Sequence, residues 1–106
     1  MVARVTVAEI DPVRQDPRHA IERFESDLIP ALHEQEGYEG CYVLLSEEGK
    51  VLVVTFWSSD EAVQATTASG FYQSQIDKLN DFVVFRAPPG REGYDVVVAE
   101  APVTTG

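Results

Sequence analysis

From Val2 to Ile10, valine, threonine and alanine alternate at short range, the pattern of a strand, and Asp11-Pro12 breaks it. Asp16-Pro17 has the form of a helix cap followed by proline at the first helical position. Ile21, Phe24, Leu28 and Leu32 then recur at helical spacing, which predicts one apolar stripe on a helix running to about Gln35. Pro30 removes the amide that would bond back to Ser26. At about 100° per residue it lies almost opposite the stripe, so the expectation is a bend in a continuing helix. Gly37 supplies the stop.

Cys41–Leu45 and Val51–Trp57 follow as two strands joined by Ser46-Glu47-Glu48-Gly49-Lys50, a β-hairpin with a glycine available for positive φ. Ser58-Ser59-Asp60-Glu61 reads as a capping box with Ser58 as cap and Glu61 three residues on. The second helix is expected to carry Ala65, Ala68, Tyr72, Ile76 and Leu79 on its buried face, with a break or kink at Ser69-Gly70. Phe82–Phe85 predicts a short edge strand, Pro88-Pro89-Gly90 an extended turn, and Tyr94–Ala99 a last strand. The order β-α-β-β-α-β predicts an α+β, ferredoxin-like fold with both helices on one face of an antiparallel sheet. One domain spans residues 1–106, with 102–106 read as a frayed tail.

Two helices cover one sheet face, and an antiparallel sheet with a wet second face should alternate apolar and polar residues. These strands do not. Val51, Val53, Thr55 and Trp57 share one parity of the third strand, and Leu52, Val54 and Phe56 share the other. Cys41, Val43 and Leu45 likewise oppose Tyr42 and Leu44, while Val96 and Val98 oppose Val97 and Ala99. An exposed apolar face of that extent exceeds what soluble monomers tolerate, so the pattern predicts a homodimer through the sheet face with two-fold symmetry. The competing arrangement folds the segment after Arg86 back across the sheet.

Composition narrows the function. At 106 residues the chain is small enough to gain from an oligomer interface. Eight basic residues against 18 acidic ones leave a formal charge of −10, which argues against nucleic acid and anionic membranes as partners. Residues 1–48 hold 11 of the acids, mostly on or beside the first helix, where a solvated face and a site for a cationic partner are the two readings. Cys41 is the only cysteine, so the chain can form neither an internal disulfide nor a cysteine metal cluster. No apolar run marks a signal peptide or a membrane span, and a cytoplasmic location is the expectation.

Few side chains carry candidate chemistry. His19 and His33 fall away from the apolar stripe of the first helix, as surface residues or, for His33, as a base at a cleft mouth or a dimer contact. Their neighbours lack ligand spacing, so no metal is expected. Trp57 is either a packing anchor where the third strand meets the second helix or an aromatic wall for a planar substrate. Tyr72 is either a core tyrosine or a donor aimed at a phenolate or enolate oxygen. Phe24, Phe71, Phe82 and Phe85 are plain core or lining residues of the same cleft. Cys41 reads as a small buried hydrophobe rather than an activated thiol. The chain lacks phosphate-cradling glycine loops and a nucleophile elbow.

The whole layout resembles the antibiotic-biosynthesis-monooxygenase family of dimeric α/β-barrels, over residues 2–100. The resemblance is carried by Pro30, by Glu36-Gly37-Tyr38-Glu39-Gly40, by Thr55-Phe56-Trp57-Ser58-Ser59-Asp60-Glu61-Ala62, by Ser69-Gly70-Phe71-Tyr72 and by Pro88-Pro89 before a final strand. It implies a small cavity between helices and sheet in each subunit. Some relatives there oxidise aromatic polyketides or quinols without metal or flavin, others open haem, and many have no known activity. Where the quinone-forming members carry an Asn, a Tyr and an Arg, this chain has Val53, Val63 and Asp77; the strand-end Trp57 remains. The haem-degrading pattern fails, because Asn80 is the sole Asn, Trp57 the sole Trp, and no His follows His33. The implied function is a cofactor-independent monooxygenase for a small aromatic or quinol-type metabolite, bound by Trp57, Tyr72, Phe24, Phe71 and Phe82. The alternative is a non-catalytic dimer that binds a small apolar ligand or a protein partner.

Overall fold

The computed structural model describes residues 1–10, 16–79, 84–85 and 92–100. Strand β1 (Val2–Glu9) leads to a helical stretch made of α1 (Pro17–Arg23), a π-helical turn at Phe24–Leu28, and α2 (Ile29–His33). The hairpin is β2 (Tyr38–Leu45) and β3 (Lys50–Trp57). Helices α3 (Asp60–Ala68) and α4 (Phe71–Leu79) follow, then β4 (Val84–Phe85) and β5 (Glu92–Asp95). The antiparallel sheet runs β2-β3-β1-β4, with β5 also pairing with β1, which is the ferredoxin-like order expected from the sequence.

Local chemistry explains most boundaries. Asp16 caps α1 by accepting from the Arg18 amide at 3.0 Å, with Pro17 at the first helical position. Exposed Pro30 does not end the helix. The π-helical turn lies directly before it, where the Ser26 carbonyl has no proline amide to receive, and the helix resumes through His33. Phe24, Leu28 and Leu32 stay buried against Val51, Val53 and Trp57, with Ile21 half-buried beside them. The acidic side chains Glu22, Glu25, Asp27 and Glu34 of this stretch are exposed, a solvated face.

Three expectations need correction. The cap of α3 is Ser59, whose hydroxyl accepts from the Ala62 amide at 3.2 Å, and not Ser58. The Ser58 amide is taken by the Gly37 carbonyl at 2.8 Å, which ties the end of β3 to the loop before β2. The last strand is Glu92–Asp95 rather than Tyr94–Ala99. It pairs with Val2–Val5 and runs out where β1 begins, the Val96 amide making one more bond to the Met1 carbonyl. Val97 and Val98 are consequently 89% and 84% exposed despite their strand propensity. Finally, Ala65 and Ala68 are exposed, while Val63, Thr66 and Gln75 are buried. The break at Gly70, with φ of +83°, divides the stretch into two helices, and Thr66 and Gln75 face a partly polar cavity that apolar periodicity does not mark. The side chains of Ile76 and Leu79, the turn at Pro88-Pro89-Gly90 and the tail at 102–106 lie outside the described residues.

Gly37 is the tightest backbone position. It has φ of +83°, and a Cβ there would sit 2.6 Å from the Ala62 Cβ and 2.8 Å from the Ser58 Oγ. Gly37→Ala is expected to lower stability by about 2–3 kcal/mol, from left-handed strain plus overpacking. Gly70→Ala, at the same φ but in open space, should cost about 1–2 kcal/mol. Denaturant midpoints of the two variants check the difference, and equal losses would mean that the contact with Ala62 is not tight.

Candidate functional site

β1 presents Val2, Arg4, Thr6 and Ala8 to the helices, and β3 presents Val51, Val53, Thr55 and Trp57. With Phe24, Leu28 and Leu32 below and α3 and α4 alongside, they enclose a cavity of about 50 Å3. That is room for a few waters and far below the roughly 300–1,000 Å3 of most small-molecule clefts. Trp57, Tyr72, Phe24 and Phe71 all line it, so four of the five residues singled out from the sequence are brought together. Phe82 lies outside the described residues. For Phe85, the strand position in β4 is described and the side chain is not.

One wall is aromatic. Trp57 is 2% exposed, and its indole N–H donates to the Thr55 hydroxyl two residues back on the same face, at 2.9 Å. Its ring meets Tyr38 edge-on at 5.6 Å, and Tyr38 in turn meets the exposed His33 at 5.4 Å. A bulge between Tyr38 and Gly40 turns both Tyr38 and Cys41 toward the core, and both pack against it half-buried. Burial, followed by the influence of the neighbouring Cys41 thiol, pushes the Tyr38 phenol above its ordinary value. Cys41 is half-buried among apolar neighbours, where the sequence predicted a buried one.

The other wall is polar, and it is the part that sequence reasoning missed. Arg4 is 5% exposed and lies with its guanidinium carbon 3.4 Å from the centroid of the Tyr72 ring, a stacked cation–π contact. Arg4 Nη1 donates to the Thr66 hydroxyl at 3.4 Å, and Thr66 donates to the Val63 carbonyl at 2.6 Å. The Tyr72 hydroxyl shares a hydrogen bond of 2.9 Å with Thr6 Oγ1. Gln75 completes this side. The available signal was parity. With Val51, Val53 and Trp57 facing the helices, register places Arg4 and Thr6 on the same side.

His19 is exposed, 4.0 Å from Glu22, and neither histidine lines the cavity. Among the described residues no cluster of three His, Cys, Asp or Glu could hold a metal ion. No helix among them is long and apolar enough to cross a membrane.

The sequence profile of the antibiotic biosynthesis monooxygenase family matches residues 3–78. The chain belongs to that family. Solved structures place this family member among similar folds. A variant of SnoaB, a cofactor-independent oxygenase from Streptomyces nogalater, superposes with a TM-score of 0.72 at 11% identity, over 92% of this chain and 94% of that one. The monooxygenase ActVA-Orf6 of Streptomyces coelicolor, in complex with nanaomycin D, gives 0.66 at 15% identity, over 98% and 92%. The heme-degrader MhuD from Mycobacterium tuberculosis, with two hemes bound in its active site, gives 0.64 at 20% identity, over 95% and 100%. At such identities the likeness is one of fold. No curated protein sequence matches this family member significantly.

Proposed function

We propose that this family member is a cofactor-independent monooxygenase of a small phenol- or quinol-type metabolite held between the helices and the sheet. The observation that supports the reading is the pairing of an aromatic wall, Trp57 with Phe24 and Phe71, against a hydroxyl donor, Tyr72, inside one cavity. In this reaction an ionised phenol gives electrons to dioxygen; one oxygen atom enters the ring as a quinone carbonyl and the other leaves as water. The protein orients the ring, hydrogen-bonds its oxygen and excludes solvent. Because the cavity is small, a ring enters only when α4, which carries Phe71, Tyr72 and Gln75, moves about Gly70. The protein works as a homodimer through the outer sheet face, consistent with two open grooves of about 500 and 610 Å3 cut into that face.

Oxygen uptake with a panel of hydroquinones, naphthols and anthrones tests the reading. Tyr72→Phe should lower turnover about a hundredfold, with melting nearly unchanged. The absence of oxygen uptake across the panel would leave the non-catalytic binding dimer as the surviving reading. That outcome is favoured by one observation, the indole N–H of Trp57 already being held by Thr55.

A further inference from the structure

Gln75 stands apart from the other polar groups of the cavity wall. Thr66 is held between Arg4 and the Val63 carbonyl, Thr6 shares its bond with Tyr72, and Thr55 takes the indole N–H of Trp57. Gln75 is 8% exposed and lines the same cavity. Yet its one hydrogen bond among the described residues is a long one of 3.5 Å, from Nε2 to the hydroxyl of the adjacent Ser74. A carboxamide offers two N–H donors and an oxygen with two lone pairs, so most of its capacity is unused whichever way the amide is turned. Every fully enclosed side-chain nitrogen or oxygen among the described residues has a partner, so the free end of Gln75 is not walled off; it opens into the cavity.

An apolar side chain of the same length would complete the wall beside Phe24 and Leu28 with no polar group to satisfy. The place of Gln75 in its helix says what the carboxamide can reach. Tyr72 and Gln75 are three residues apart on α4, so their side chains are neighbours, with about 5–6 Å between Cβ atoms. A ring whose oxygen takes the bond from the Tyr72 hydroxyl brings its other substituents within reach of Gln75. A bare ring edge there displaces solvent from the amide and replaces none of its bonds, whereas a hydroxyl or a carbonyl restores one. The amide is neutral and both donates and accepts, which matches a neutral oxygen function better than a carboxylate or an ammonium group.

We propose that Gln75 is a specificity-determining residue whose carboxamide reads a second, neutral oxygen on the ring held at Tyr72, and so selects rings with two oxygens over simple phenols. A site built around such a bond rejects the analogue that lacks the oxygen, because the buried amide is then left unpaired. The inference rests on the cavity being the ligand site proposed above. It concerns recognition alone, and no step of the oxidation passes through Gln75.

NMR titration under nitrogen with toluene, phenol and the three dihydroxybenzenes tests it apart from turnover. At least one of catechol, resorcinol and hydroquinone should bind about tenfold or more tighter than phenol. Gln75→Met should shrink that advantage to within about twofold while phenol itself keeps its affinity, and the variant should melt no lower than the parent, since an unpaired amide has gone. Gln75→Leu repeats the measurement if Gln75→Met does not fold. The role is overturned if no dihydroxybenzene outbinds phenol in the parent, or if the variant weakens phenol and its dihydroxy analogues equally. It is overturned too if the variant melts markedly lower, which would make the amide part of the bonding of the fold. In each of these cases, phenol binding that is lost in Tyr72→Phe keeps the cavity reading. If neither toluene nor any of the phenols binds, that reading falls and this inference with it.

Discussion

Trp57→Ala is expected to unfold about 3–5 kcal/mol more easily than the parent, the largest loss for a single side chain in this core. Trp57 stands at the last position of β3, between partners on both sides, Val2 of β1 and Tyr38 of β2. Those two strands hold the backbone, so the space vacated by the indole cannot collapse. It would merge with the existing cavity of about 50 Å3 and leave Tyr38 without its edge contact. The Thr55 hydroxyl, itself buried, would lose its donor as well. In a domain of this size the melting temperature should fall by well over 10 °C, at roughly 4–8 °C per kcal/mol. Trp57→Phe, which keeps a ring and loses the N–H, should cost about 1–2 kcal/mol. Calorimetry of both variants checks the pair. A loss below about 1 kcal/mol for Trp57→Ala would show that the indole is a loose wall and not an anchor.

The same residue shows how far the sequence could be read. Its place at a strand end before a capped helix was visible in Thr55-Phe56-Trp57-Ser58-Ser59, and so was the order of elements, because alternation, Asp16-Pro17, Gly37 and Gly49 each act on their immediate neighbours. Ser58 and Ser59 were not separable. Either hydroxyl can cap a helix, and the choice is made by Gly37, twenty-one residues upstream, whose carbonyl takes the Ser58 amide. The end of β5 was hidden for a related reason. The valine run from Val96 to Val98 has strand propensity throughout, but a ladder needs a partner, and β1 begins at Val2.

The aromatic half of the cavity was legible because large rings announce burial. Its polar half was not, since Arg4 and Thr66 look like surface residues until the register of β1 with β3 and the break at Gly70 turn them inward. The buried face of α3 was misplaced for that reason: Ala65 and Ala68 satisfy apolar periodicity, yet Val63 and Thr66 are the residues that meet the sheet side.

Leu52→Asp is expected to turn the proposed homodimer into a folded monomer. On the face away from the helices, Leu44, Leu52 and Val7 sit side by side across β2, β3 and β1, at 50%, 37% and 39% exposure. Tyr42, Val54 and Val5 form the next row, with Tyr42 edge-on to Phe56 at 5.9 Å. Such a face needs a cover, and in the proposed homodimer a second copy of the same sheet would supply one by symmetry. A carboxylate at Leu52, in the central strand of that row, would be buried in the dimer without a cation and repeated by the two-fold axis. In the monomer it is solvated at little cost. Association should weaken at least about a thousandfold, equivalent to roughly 4 kcal/mol, while far-UV circular dichroism stays unchanged. Each chain carries a formal −10, so the proposed dimer would work against its own charge and should tighten as salt is added. Analytical ultracentrifugation at micromolar concentration reads both effects. A monomeric parent, or a Leu52→Asp variant still sedimenting as a dimer, would rule out pairing through this face.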